Sequence, residues 1–275
     1  MARRARGPSP APIVTLSSDV GAAYAAQMKA VLVRSVGAGR IVELAHDLPA
    51  HGVGEAAFLL RAMARGFPAG TVHLAVVDPG VGGVRRPLAI QCADGSVLVG
   101  PDNGLLWPLA VALGRPRAYA LDPARVGDRG RVGTTFDGRD LFAPAAARIA
   151  TGTPVRSLGR PHAPVRYELP SATRRPGRLV GSVVHLDRFG NVILTIPSDW
   201  RPRSVRSVRF SVGRRRGSAT VVDHYAAIPP GRYGLLPSSF GTLEICRRES
   251  SAAHRLRARV GAPATVGWPV GRTRN

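Results

Sequence analysis

At 275 residues the chain is long enough to bury a full core, as one large domain or two modest ones. Its formal net charge of +22 comes from 39 Lys and Arg against 17 Asp and Glu, and Lys29 is the single lysine. So one-sided an arginine excess, beside only 5% aromatic residues, reads as compositional bias on a solvated basic face and argues against a nucleic-acid partner. The densest run, Arg201 to Arg216, is where any such contact would fall. Cys92 and Cys246 stand far apart with no metal or redox spacing, which excludes a disulfide framework and a zinc site. The opening MARRARGPSPAP is basic and proline-rich with no apolar stretch, so residues 1–12 read as a disordered tail and not as a secretory signal. No apolar run is long enough to cross a membrane, and the expected compartment is the cytoplasm.

From Ile13 to about Leu169 short apolar strands alternate with amphipathic helices, which predicts a layered α/β domain over 13–169. Strands are expected at Ile13–Leu16, Ile41–Leu44 and Val72–Val77, and helices at Ala22–Arg34 and Glu55–Arg65. In the second helix Ala56, Leu59, Leu60 and Met63 share a face, and Gly66 and Pro68 mark its end. Leu88–Gln91 and Val97–Val99 flank the turn Ala93-Asp94-Gly95, a hairpin signal. Ala143–Ala150 is the third expected helix, with Pro144 in its first turn. Residues 170–178 (PSATRRPGR) read as a linker, and 179–270 turn to short strands between Gly and Pro turns, a smaller β-barrel-like domain.

The most informative segment is Val76 to Pro87, VVDPGVGGVRRP. The apolar run ends in Asp78-Pro79-Gly80, placing Asp78 at the C-terminal lip of a buried strand, where α/β sheets keep their ligand crevices. Pro79 cannot continue a ladder, Gly80, Gly82 and Gly83 permit a tight turn, and Arg85 follows within the same loop. Many of the 17 acids fall at such turns, Asp19, Asp47, Asp78, Asp102, Asp137, Asp140, Asp187 and Glu244 among them, although Asp47, Asp102 and Asp140 read equally well as turn or capping carboxylates.

Four further segments accompany it: Ser18-Asp19-Val20-Gly21, Gly100-Pro101-Asp102-Asn103-Gly104, Thr134-Thr135-Phe136-Asp137-Gly138-Arg139-Asp140, and Asp187-Arg188-Phe189-Gly190-Asn191. Their order and spacing, from about Ile13 to Gly267, resemble the S-adenosylmethionine hydroxide adenosyltransferases, the adenosine-forming S-adenosylmethionine hydrolases related to fluorinating and chlorinating enzymes. The resemblance implies an α/β domain joined to a barrel-like one, a homotrimer, and active sites between the first domain of one subunit and the second domain of its neighbour. It also implies attack of water or hydroxide on ribose C5′ with methionine leaving, and neither metal nor cofactor. By the same resemblance Asp78 and Arg85 hold or activate that water, with Asp137 as third member of the set. Asp19 meets the ribose hydroxyls, Asp187 and Asn191 the methionine ammonium and the adenine, and Ser239 the methionine carboxylate. His51 lines the pocket, and Arg247 joins the substrate-binding set.

S-adenosylmethionine is net cationic, so a protein of this charge needs local acids to receive it, and Asp19, Asp78, Asp137 and Asp187 qualify. The chain departs from the family pattern at Asp137, where the hydrolases carry histidine, and in the short loop after Asp19. Two other readings stay open: a halogenase, and a catalytically impaired S-adenosylmethionine- or adenosine-binding protein. The halogenating relatives have Tyr-Pro at Asp78-Pro79 and lack the arginine, so Asp78 with Arg85 favours hydrolysis.

Overall fold

A computed structural model of the chain describes residues 12–127, 135–202 and 205–269. The expected tail falls, except for Pro12, outside the described residues. The chain divides into two compact units, 1–169 and 170–275.

In the first unit β1 (Val14–Ser18), α1 (Gly21–Val36), β2 (Ile41–Ala45), α2 (Val53–Ala64) and β3 (Val72–Val76) follow the alternation read from the sequence. Next come β4 (Pro87–Gln91), β5 (Val97–Pro101), α3 (Trp107–Leu113), β6 (Arg117–Leu121) and α4 (Pro123–Val126). A π-helical turn at Gly138–Phe142 runs into α5 (Ala143–Ala150), followed by α6 (Val155–Leu158) and β7 (Gly159–Pro161). The seven strands are ordered β2-β1-β3-β5-β4-β6-β7. β1 pairs in parallel with β2 and β3, as β3 does with β5, whereas β4 is antiparallel to β5 and β6. Val14, Leu16, Val72, Leu74 and Val76 pack with Met28 and Leu32 of α1 and with the alanines of α5, all nearly fully buried. Those alanines let α1 and α5 lie close together over the sheet, a packing that removal of apolar area from water drives. α3, β6 and β7 lack a strong periodic signal and were not expected from the sequence.

The second unit opens with β8 (Thr173–Arg175), so the segment expected as a linker contributes a strand to it. There follow β9 (Arg178–Leu186), β10 (Val192–Pro197), β11 (Ser207–Val212), β12 (Arg215–Val221), β13 (Tyr233–Pro237), β14 (Thr242–Arg247), α7 (Ala252–Leu256) and β15 (Pro263–Gly267). The order β10-β14-β13-β12-β11-β15-β9 closes through β9–β10 pairing into a seven-stranded barrel, with β8 attached outside β9. Inward residues of alternate positions, among them Leu179, Val183, Val208, Phe210, Leu235, Ile245 and Val266, fill it. Among the described residues no helix is long and apolar enough to cross a membrane.

Candidate active site

β1 and β3 are parallel neighbours in register, Ser18 opposite Val76, so their C-terminal ends emerge side by side. Asp19 and Asp78 leave the sheet there, and the Asp19 amide donates to the Val76 carbonyl at 3.3 Å. The loop after Asp78 turns back tightly. Gly82 has φ 75°, and a Cβ on Gly83 would stand 3.0 Å from the Gly80 carbonyl oxygen. That turn returns Arg85 over Asp78. The guanidinium Nε donates to Asp78 Oδ1 at 3.0 Å and Oδ2 at 2.9 Å, and Nη2 makes a further close contact with Oδ2.

Arg85 has a second carboxylate partner 52 residues away, since its Nη2 donates to Asp137 Oδ2 at 2.6 Å. Asp137 begins the π-helical turn before α5, and the following glycine is required by contact. A Cβ on Gly138 would fall 2.7 Å from Met28 Sδ and 2.8 Å from the Phe136 ring. Phe142 from the same turn lies beneath the guanidinium, its ring centroid 5.2 Å from Arg85 Cζ. All three charged side chains are largely buried, at 12% exposure for Arg85, 6% for Asp78 and 8% for Asp137. Burial alone would lower the Arg85 pKa, but its bonds to Asp78 and Asp137 outweigh that and hold it above its ordinary value. Asp78 and Asp137 thus place two carboxylates about one guanidinium at the strand lip.

Asp19 is half-buried, and its Oδ2 accepts the His51 amide at 3.3 Å. His51 therefore contributes its backbone, held at φ 60°, while its ring is exposed. Asp102 and Asp140 are structural. Asp102 accepts from His162 Nε2 at 2.7 Å and the Val165 amide at 2.8 Å, and Asp140 pairs with Arg139 at 2.6 Å. Thr134 of the fourth segment lies outside the described residues.

In the second unit Asp187 and Asn191 form one turn between β9 and β10. Asp187 Oδ1 accepts the Phe189 and Asn191 amides at 2.9 and 2.8 Å, and its Oδ2 accepts Asn191 Nδ2 at 2.9 Å. Much of the Asp187 carboxylate is thus spent on shaping the turn. Ser239 lies exposed in the β13–β14 turn with no hydrogen bond to that pair among the described residues. Arg247 donates to Ser250 Oγ at 2.9 Å and lies 5.5 Å from the Tyr233 ring. Sequence reasoning missed Tyr225 and placed Glu244 among the turn acids, whereas it lies within β14. The Asn191 amide reaches the Tyr225 hydroxyl at 3.5 Å, and that hydroxyl donates in close contact to Glu244, only 2% exposed. Burial pushes the Glu244 carboxyl up to about 7 against the opposing Tyr225 bond, with Asp187 adding to the rise. The signal was there: Glu244 is a lone carboxylate inside the apolar run Leu243 to Cys246.

The first unit thus carries a carboxylate–guanidinium–carboxylate cluster at its strand lip, and the second is a closed barrel. The chain belongs to the SAM hydroxide adenosyltransferase family: residues 14–159 match the family's N-terminal domain and residues 181–265 its C-terminal domain. It is 35% identical over 253 residues to an (R)-S-adenosyl-L-methionine hydrolase of Salinispora tropica, covering 90% of this chain and 95% of that one. A hydrolase of the same name from Thermus thermophilus is 38% identical, covering 88% and 94%. A fluorinase of Actinopolyspora mzabensis is more distant, at 28% over 68% of this chain and 72% of its own. Among solved structures, an uncharacterized conserved protein from Thermotoga maritima superposes with TM-score 0.85 at 28% identity, covering 93% of this chain and all of that one. A conserved hypothetical protein from Thermus thermophilus reaches 0.74 at 36% identity, covering 93% and 99%.

Proposed function

We propose that the protein hydrolyses S-adenosyl-L-methionine to adenosine and L-methionine, and that Asp78, Arg85 and Asp137 are its catalytic residues. The observation that carries this reading is the buried Asp78–Arg85–Asp137 cluster at the strand lip. In-line attack at C5′ forms the C5′–O bond as the C5′–S bond breaks, and the electron pair passes to sulfur. The leaving group is a neutral thioether, so the reaction needs no general acid, and we propose that it proceeds without metal or cofactor. What it needs is a held water and a place for the proton that water loses. Asp78 accepts a hydrogen bond from the water and then its proton, while Arg85 fixes the carboxylate and the developing hydroxide. Asp137 keeps the guanidinium from neutralising Asp78, doing with a carboxylate what the resemblance assigns to a histidine. The Asp78 and Asp137 carboxylates attract the sulfonium and disfavour a bare halide ion.

Asp19 accepts from the ribose hydroxyls beside His51. Asp187, Asn191, Ser239 and Arg247 of the second unit bind the adenine and methionine ends. The assembly supporting that division of labour is a homotrimer with active sites between subunits, as the resemblance implies. Because the hydrolases it resembles are named for the (R) sulfonium, we take that epimer as the preferred substrate. The test is incubation with each epimer, with and without chloride, followed by chromatography of the nucleosides. Equimolar adenosine and methionine are expected, unaffected by halide. 5′-Chloro-5′-deoxyadenosine would reassign the protein as a halogenase, and binding without turnover would make it a ligand-binding relative.

A further inference from the structure

The arginine excess gains a definite arrangement once the strands of the second unit are in register. Arg175 of β8 stands opposite Arg178 of β9, Arg178 opposite Gly267 of β15, Gly267 opposite Arg209 of β11, and Arg209 opposite Ser218 of β12. Directly paired residues share a face of a sheet, and here the face is the outer one. Leu179, Val208 and Phe210, the neighbours of Arg178 and Arg209 along their strands, are buried inside the barrel, whereas Arg175, Arg178, Arg209 and Ser218 are exposed. Three guanidinium-bearing positions therefore lie in one row across the four adjacent strands β8, β9, β15 and β11, about 14 Å at the usual strand spacing.

The floor beside this row is small and hydroxylated. Gly267 leaves a gap between Arg178 and Arg209, and in the adjacent row Ser211 and Thr265 are joined at 2.8 Å, with Arg216 paired opposite Ser211. The result is a hollow of about 430 Å³ bounded by Arg178, Arg209, Arg216 and Trp268, with no carboxylate in its lining. Arg175, Arg178, Arg209 and Arg216 have no hydrogen-bond or ion-pair acceptor among the described residues. By contrast, Arg201 and Arg248 of the same unit are paired with Asp223 and Glu249. Like charges placed directly opposite on neighbouring strands destabilise a sheet, and nothing among the described residues offsets Arg175 against Arg178. A bound anion would.

We propose that this row is a binding track for the phosphodiester backbone of single-stranded nucleic acid, separate from the hydrolytic site. The linear arrangement suits a chain of phosphates better than one small anion, and the low Gly, Ser and Thr floor lets a strand lie close to the sheet. Of the aromatic residues in the lining, Phe210 is buried inside the barrel and Trp268 packs partly on the core, so the track reads backbone and not sequence. The inference requires more than the net charge, which every exposed arginine shares.

The experiment measures binding of a fluorescently labelled single-stranded RNA of mixed sequence to the full chain across a salt series. The parent is compared with Arg175→Gln/Arg178→Gln/Arg209→Gln and with the equally neutralised control Arg40→Gln/Arg65→Gln/Arg117→Gln. Melting temperature and elution volume are followed for all three. Losing three phosphate contacts should flatten the slope of log K against log salt by about 2 in the track variant. The control should keep most of the parent slope, and the track variant should melt no lower than the parent, since repulsion has been relieved. Equal weakening by both variants would make binding a matter of total charge and overturn the proposal. So would a changed oligomeric state in the track variant, which would make the row a subunit contact, or preference for anionic vesicles over RNA. Adenosine formation is a separate readout, so its absence would count against the hydrolase reading and not against the track.

Discussion

Asp78→Asn is the sharpest perturbation of the site because it removes one charge and almost no volume. In the parent, both Asp78 oxygens accept from Arg85 at about 3 Å. At that separation and an effective dielectric of about 20, the attraction is about 5 kcal/mol. Asparagine keeps a single acceptor, and its amide nitrogen would turn donor hydrogens toward guanidinium donors or toward the attacking water. One negative charge is lost at the site, and the water loses its proton acceptor. Turnover should fall by roughly 10²–10⁴, the range for losing a positioned base, which corresponds to about 2.7–5.5 kcal/mol of transition-state stabilisation. The fold should survive, since Asp137 still holds Arg85 Nη2 at 2.6 Å. A stability loss of about 1–3 kcal/mol is expected, the cost of an unmet buried hydrogen-bonding group. The assay is adenosine and methionine release by chromatography at saturating substrate, beside a melting curve. A folded Asp78→Asn protein with parental kcat would refute the assignment of the proton to Asp78.

Arg85→Ala should cost about 3 kcal/mol in kcat by removing the donor that fixes the attacking oxygen, and full activity in that variant would exclude it from the chemistry. Asp137→His, read as kcat against pH beside Asp137→Asn, should retain activity and gain a limb in the imidazole range, whereas parental behaviour of Asp137→Asn at every pH would make Asp137 a bystander. Two buried groups give opposed stability profiles. Glu244, raised from 4.5 to about 7, makes the fold lose stability as pH rises through that window, while desolvation lowers buried His73 from 6.5 to about 4, so its contribution is lost as pH falls through that window. Each is worth about 3 kcal/mol, so urea midpoints should be nearly flat where the windows overlap, Glu244→Gln should expose acid destabilisation, and His73→Gln should expose the opposite slope. A profile unchanged by either substitution would contradict these assignments. Gly138→Ala should destabilise by about 1–3 kcal/mol through overpacking against Met28 and Phe136, and should lower kcat by displacing Asp137; unaltered melting would show that the turn yields.

The sequence by itself determined the fold class of both units and the position of the principal loop. Hydrophobic runs of strand length, helix faces of period 3.6 and the break at Asp78-Pro79-Gly80 are local properties, and local propensity together with burial decides them. The pairing of Asp78 with Arg85 was legible for the same reason, as both sit in one tight turn. That Arg85 also bonds Asp137 was not legible in spacing alone. Fifty-two residues separate them, and the contact exists only because α5 and its leading turn pack over β3, with Gly138 admitting Met28. β13, in Tyr233–Pro237, is a short run that ends in proline, and the barrel alone supplies its partners β12 and β14. Glu244 read as a turn acid until β14 and barrel closure placed it under the Tyr225 hydroxyl. The arginines make the same point. Composition gives their number, but which of them stand opposite one another is a matter of register, and register is set by long-range strand pairing that no local pattern encodes.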